Sequence, residues 1–225
     1  MNRNADLPTP PAATEPAAGD DGSLTQRRMP RQARSRRTVE AILKAASEEI
    51  ERSGLDNLTT NRIAVAAGVS IGGLYEFFPN KEAILYAMLT SWTDAILESV
   101  RALHPAKDGG RDLLGYLDQM AETCLVFYRS QPGLPALLDA SVSIIALRDA
   151  MRVHDGQIVA EIADGLAWYV PKADKKQAEA TAHTILLISH DLLMAASQRE
   201  EGYAGMLLKN LRVCLYALAT RLQLG

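Results

Sequence analysis

Cysteine is scarce in this chain: Cys124 and Cys214 are the two it has in 225 residues. They lie far apart in apolar, helix-like contexts, which reads as two buried thiols in a reducing compartment, with a disulfide or redox switch as the lesser alternative. Long apolar runs are missing, and none reaches the length needed to cross a bilayer. The first residues have no apolar signal core, so secretion is not expected and a cytoplasmic location is. Period-two alternation and β-branched runs are rare, so strands have little to build on, while alanine and leucine favour helix. The chemistry of a familiar enzyme is missing too. There is no Gly-x-Ser-x-Gly elbow, no phosphate-cradling glycine loop and no His/acid spacing for a metal. The expectation is a protein that is not an enzyme and needs no cofactor or metal.

What is present is a strong local bias of charge. The net charge is −3. Yet Arg27, Arg28, Arg31, Arg34, Arg36 and Arg37 crowd one short segment that holds no acid. Residues 23–90 carry a net of +3 and residues 91–225 a net of −3. The positive charge is therefore N-terminal, where it can neutralise nucleic-acid phosphates. Residues 1–24 are rich in Pro, Ala, Asp and Gly and have few large apolar side chains. Such a segment cannot repay the entropy of ordering and reads as a disordered tail.

From Ala33 onward apolar residues recur at helical spacing, with Val39, Ile42, Leu43, Ala46 and Ile50 on one face. Gly54 ends this helix. Thr60 is the expected cap of a second helix, which Gly68 stops, and Ser70 is the expected cap of a third, ending near Phe78-Pro79. Asn80 then caps a long helix, and five more are expected over 111–130, 132–145, 147–170, 173–199 and 201–223. The fold class is all-α, with about nine helices. The expected domains are a tail (1–24), a helix-turn-helix domain (25–80) and a helical ligand-binding and dimerisation domain (81–225).

Two short helices joined by a glycine turn over residues 60–78 are the signature of a helix-turn-helix, whose second helix enters the DNA major groove. Leu58, Ile63, Ala67, Val69, Leu74 and Phe78 supply the small core that would hold it to the first helix. The stretch "LTTNRIAVAAGVSIGGLYEFFPNKEAIL" resembles the DNA-binding half of the TetR family of bacterial transcriptional regulators. The resemblance rests on Thr-Thr, Ile-Ala, Ala-Gly-Val-Ser, Leu-Tyr, a Phe three residues after that Tyr, and Asn-Lys, in that order. It extends over about residues 33–90. It implies that Thr60, Tyr75 and Lys81 contact phosphates, beside Arg34, Arg36 and Arg37 of the basic cluster. It also implies that Asn61 and Arg62 face the groove and that Ser70, Ile71, Gly72 and Gly73 lie nearest the bases. The Gly72-Gly73 pair costs helix stability, about 1 kcal/mol per glycine relative to alanine. Either it lets the backbone approach DNA closely or it permits tight helix–helix packing.

In the remainder, Leu208, Leu211, Leu215, Leu218 and Leu222 form a narrow 3–4 seam on the last helix. With Leu187 and Met194 on the helix before, it is expected to build a four-helix dimer interface; monomer core is the alternative. Trp92, Met120, Cys124, Phe127, Tyr128, Trp168 and His183 are candidates for the walls of an apolar effector cavity, though each also suits an ordinary core. His183 and His190 share a helix face, and His154-Asp155 is a polar pair without an evident supporting cluster. The functional expectation is a homodimeric regulator, a repressor on a palindromic operator, released by a small apolar or amphipathic effector. Two alternatives stand beside it: an activator or ligand-independent DNA-binding regulator, and a helical interaction module that has lost DNA binding.

Overall fold

The computed structural model describes residues 33–107 and 110–224, together with Leu24, Gln26 and Arg27. The expected tail and the Arg34 side chain lie outside the described residues. The described chain is all helical, with nine α-helices: α1 (Ala33–Ser53), α2 (Thr60–Ala67), α3 (Ile71–Tyr75), α4 (Lys81–Ala102), α5 (Leu113–Ser130), α6 (Leu134–Ser141), α7 (Ile145–Tyr169), α8 (Lys175–Ser197) and α9 (Glu201–Leu224).

Local signals account for most of the boundaries. Gly54 and Gly68 take left-handed φ values of 77° and 67°, where a side chain is strained, and end α1 and α2. The Ser70 and Asn80 side chains accept from the Gly73 and Ala83 amides at 3.0 and 2.8 Å, capping α3 and α4. Thr59, not Thr60, caps α2: its Oγ1 accepts from the Arg62 amide at 3.3 Å, which leaves the Thr60 hydroxyl for another use. α3 is shorter than expected and stops at Tyr75; α6 stops at Ser141 rather than 145, because Ile144 is already extended.

Two apolar cores result. One holds Ile42, Ala46 and Ile50 of α1 with Leu58, Ile63, Leu74 and Phe78, and extends through Ile84, Leu85, Met88 and Leu89 of α4 to Leu137 and Leu147. The other packs α5, α7, α8 and α9 around Leu117, Ile162, Ile185, Leu211 and Leu215. Leu211, Leu215 and Leu222 are therefore buried within one chain and closed to a partner, as is Ala204. The 3–4 seam marked a helix face that packs on helices, and the helices it meets are the chain's own α5 and α8. Leu208 and Leu218 flank this core half-buried.

One glycine in this core is set by close approach. A Cβ on Gly165 of α7 would lie 2.5 Å from the Tyr116 hydroxyl oxygen and 2.9 Å from its ring. Gly165→Ala should therefore cost about 1–3 kcal/mol, the usual range for overpacking. A urea-unfolding midpoint unchanged from wild type would contradict this packing.

Candidate nucleic-acid interface and effector cavity

The candidate recognition surface is built on α2, α3 and the first turn of α4. Tyr75, the last residue of α3, is half-buried, and its hydroxyl lies 3.0 Å from Thr60 Oγ1 at the first turn of α2. The pair brings two hydroxyls to one point on the surface. Lys81 opens α4 one residue after the Asn80 cap. A cation there opposes the helix dipole, so it does not stabilise the helix end it occupies. The same applies to α1, whose first turn has arginines and no acid. Arg36 and Arg37 are both exposed. The Arg27 amide donates to the Phe77 carbonyl at 2.8 Å, which places the start of the arginine segment beside the end of α3.

Asn61, Ser70, Ile71 and Gly72 are exposed, and Gly73 is half-buried. A Cβ on Gly72 would meet nothing within 4 Å, so tight packing inside the chain does not explain this glycine. At Gly73 a Cβ would come within 3.1 Å of the capping Ser70 Oγ.

Arg62 departs from the groove-facing role. Its Nε and Nη2 each lie 3.2 Å from Glu49 Oε2, and its Nη1 donates to the Asn57 carbonyl at 3.2 Å. Glu49 is a buried acid on α1. The guanidinium of Arg52, seconded by Arg62, holds its carboxyl below the ordinary range against the opposing effect of burial. A buried carboxylate needs a cation, and Arg62 serves that need by tying α2 to α1.

The second site is a cavity among α4, α5, α6, α7 and α8. Trp92, Met120, Cys124, Phe127 and Tyr128 line it, as the sequence suggested. Trp168 and His183 do not. Trp168 is 58% exposed and packs edge-on to His104 instead. His183 is exposed on the outer side of α8. Helical periodicity places a residue on a helix but does not say which neighbour its face meets.

The polar lining contains His154, Asp155 and His190, noted in the sequence but not as cavity walls, and Ser189, which the sequence did not mark. The Tyr128 hydroxyl and His190 Nδ1 are 3.1 Å apart. Burial holds the His154 imidazole neutral, with its pKa down to about 4, and pushes the Cys124 thiol up to about 12, so neither charges at neutral pH. Burial also raises the Asp155 carboxyl, while His190 and His183 pull it back down. The cluster that His154-Asp155 lacked in the sequence is supplied by α5 and α8.

A helix-turn-helix preceded by exposed arginines and followed by a helical unit around a cavity is the architecture of a DNA-binding transcriptional regulator. Residues 42–88 match the model described as bacterial regulatory proteins, tetR family, and residues 112–217 match the tetracyclin repressor-like C-terminal domain. The chain belongs to the TetR family. It is 24% identical over 123 residues to the nucleoid occlusion factor SlmA of Shewanella woodyi (strain ATCC 51908 / MS32), a match covering 55% of this chain and 60% of that relative. It is 26% identical over 175 residues to the HTH-type transcriptional repressor DrrR1 of Streptomyces coeruleorubidus, covering 71% and 62%. The chain thus spans about 60% of the length of the curated relatives it matches. Among solved structures, a transcriptional regulator from Rhodococcus sp. Rha1 superposes with a TM-score of 0.69 at 19% identity, covering 82% of this chain and 97% of that one. A TetR transcription regulator from Haloarcula marismortui ATCC 43049 gives 0.66 at 18% identity, with the same coverage. At these identities the likeness is one of fold.

Lys81→Ala and Tyr75→Phe should weaken binding to operator and random DNA alike, because phosphate contacts carry no sequence information. For Lys81→Ala the slope of log affinity against log salt should fall by about 1. Gly72→Ala should raise stability by about 1 kcal/mol or less, since the position is open and alanine is the better helix former, yet lower DNA affinity by crowding the groove. A Gly72→Ala protein that binds DNA as well as wild type would remove that glycine from the interface.

Proposed function

We propose that this regulator is a homodimeric repressor that holds a palindromic operator and is released when a small amphipathic effector fills the cavity. In this reading residues 25–80 form the DNA-binding domain and residues 81–225 the effector-binding and dimerisation domain, acting in the cytoplasm. The observation that carries the reading is the physical link between the two sites. The Ser47 hydroxyl of α1 donates to the Pro132 carbonyl at 2.6 Å, and the Gly133 amide donates to Glu51 Oε2 at 2.7 Å. These bonds fix the entry to α6, whose Leu134 and Leu138 are cavity walls. An occupant that displaces α6 would then shift α1, and with it the helix-turn-helix. Release is a population shift: the effector favours a spacing of the two recognition helices that does not fit successive major grooves. The similarity to a protein named as a transcriptional repressor supports repression over activation.

The dimer face assigned by this reading is the outer side of α8 and α9. Leu187 (58% exposed), Met206 (55%) and Val213 (68%) stand there, with Tyr203 and Leu224 in line and Met194 half-buried beside them. Such an unpaired apolar stripe marks an interaction surface. Val213→Asp should give monomers in sedimentation with helix content intact. Operator affinity should drop by about 100-fold or more as bivalent binding is lost, while random-DNA binding partly survives. Leu211→Asp should instead lower the melting temperature of the chain itself, because its site is core. A Val213→Asp protein that remains dimeric and binds operator normally would place the interface elsewhere.

A further inference from the structure

The polar lining of the cavity has a definite sign. Asp155 and His154 are consecutive residues of α7 in the cavity lining; His154 is 9% exposed and Asp155 half-buried. Ser189 Oγ on α8 is fully buried and has no hydrogen-bond partner among the described residues. A buried polar group left unpaired costs about 1–3 kcal/mol, so Ser189 in a lining it shares with His154 and Asp155 points to a ligand that pairs it. Their chemistry is mostly accepting. A carboxylate only accepts, a neutral imidazole keeps one accepting nitrogen, and a hydroxyl accepts as readily as it donates. No lysine or arginine among the described residues lines the cavity, so nothing of fixed positive charge awaits an anion. The rings of Trp92, Phe127 and Tyr128 form part of the same wall, and aromatic faces attract cations.

The approach has the same sign. An outer cleft shares Leu138 and His190 with the cavity and is lined by Asp139, Asp191 and Arg199. Asp94 stands near His154 from the α4 side and opposes, without outweighing, the burial that keeps the ring neutral. Asp155 is the one acid among the described lining residues, and the exposed Asp94, Asp139 and Asp191 add negative charge outside the cavity.

We infer that the cavity takes a hydrophobic amine, an alkyl or aralkyl ammonium, with its nitrogen against Asp155 and its apolar body among Ile158, Ile185 and Met120. The inference rests on the reading of this cavity as the effector site and narrows that effector to one charge class. Ser189 and His154 accept the remaining N–H bonds, and the Tyr128–His190 pair closes the side toward the outer cleft. The Ser189 hydroxyl, unpaired in the empty cavity, is paired in the filled one.

Three molecules of equal body and different charge test this on the full chain: 2-phenylethylamine, 2-phenylethanol and phenylacetate, titrated by calorimetry. The amine should bind about tenfold more tightly than the alcohol, the margin of a charge-assisted over a neutral hydrogen bond. The carboxylate should bind most weakly. Asp155→Asn, which keeps the side chain's size, should bring the amine to the level of the alcohol and leave the alcohol within about threefold of its wild-type affinity. The wild-type ranking stands as a test by itself if that variant folds poorly. The inference is overturned if phenylacetate binds as tightly as the amine, if Asp155→Asn preserves the amine's margin, or if none of the three binds at millimolar concentration. Operator binding measured alongside separates the two levels. An amine that ranks as expected but leaves operator affinity unchanged upholds the ligand class and defeats release. Operator release by molecules of another charge class defeats the ligand class and upholds release.

Discussion

The grip of α1 on the loop between α5 and α6 is the constraint on which the rest of the molecule depends. Ser47 and Glu51, one helical turn apart, bond the Pro132 carbonyl and the Gly133 amide. Gly133 takes a left-handed φ of 71°, and a Cβ there would lie 2.8 Å from the Ser47 carbonyl oxygen, so the loop approaches α1 as closely as a backbone without side chain allows. From this point α6 runs between the two cores. Leu137 is buried in the core of the DNA-binding half, while Leu134 and Leu138 wall the cavity. α4 makes a second bridge: Leu89 is buried in the N-terminal core and also lines the cavity. A change of cavity shape therefore has few ways to be absorbed without moving α1 or α4.

The DNA-facing surface is held as firmly. Glu49, paired with Arg52 of its own helix, draws Arg62 of α2 onto α1, and the Thr60–Tyr75 hydroxyl contact joins α2 to the end of α3. The cost of burying Glu49 is offset by fixing the angle between the supporting helix and α1. In the proposed mode of binding, what is left to read bases is sparse: Asn61, Ser70, the apolar Ile71 and an open backbone at Gly72. Such a surface would rely on thymine-methyl contact, close backbone approach and DNA shape more than on bidentate side-chain contacts.

The fold was legible from the sequence where a signal is local. Caps, left-handed glycines and helical periodicity gave the helices, and the motif from Leu58 to Leu85 gave the family. Contacts between distant segments were not. Arg62 looked like a base reader because nothing nearby in sequence shows that Glu49, thirteen residues earlier, is buried and needs it. The leucine seam of α9 was visible, but a seam does not say whether its partner helix belongs to the same chain. The cavity was half legible. Large residues on α4 and α5 were found, while His154, Asp155, Ser189 and His190 gain meaning only when α5, α7 and α8 come together. Trp168 suggested a cavity wall by size alone, and the face of α7 that carries it meets solvent and His104.

The central claim is that DNA and cavity are coupled through the Ser47–Pro132 and Glu51–Gly133 contacts. Amide hydrogen exchange of the full chain, with and without its operator, tests this before any effector is known. DNA bound to α1–α3 should change protection in α6, over Leu134–Ser141, and Ser47→Ala should diminish that change while preserving the protection gained by α2 and α3. Protection confined to α1, α2, α3 and the start of α4, with α6 indifferent to DNA in the wild-type chain, would contradict it.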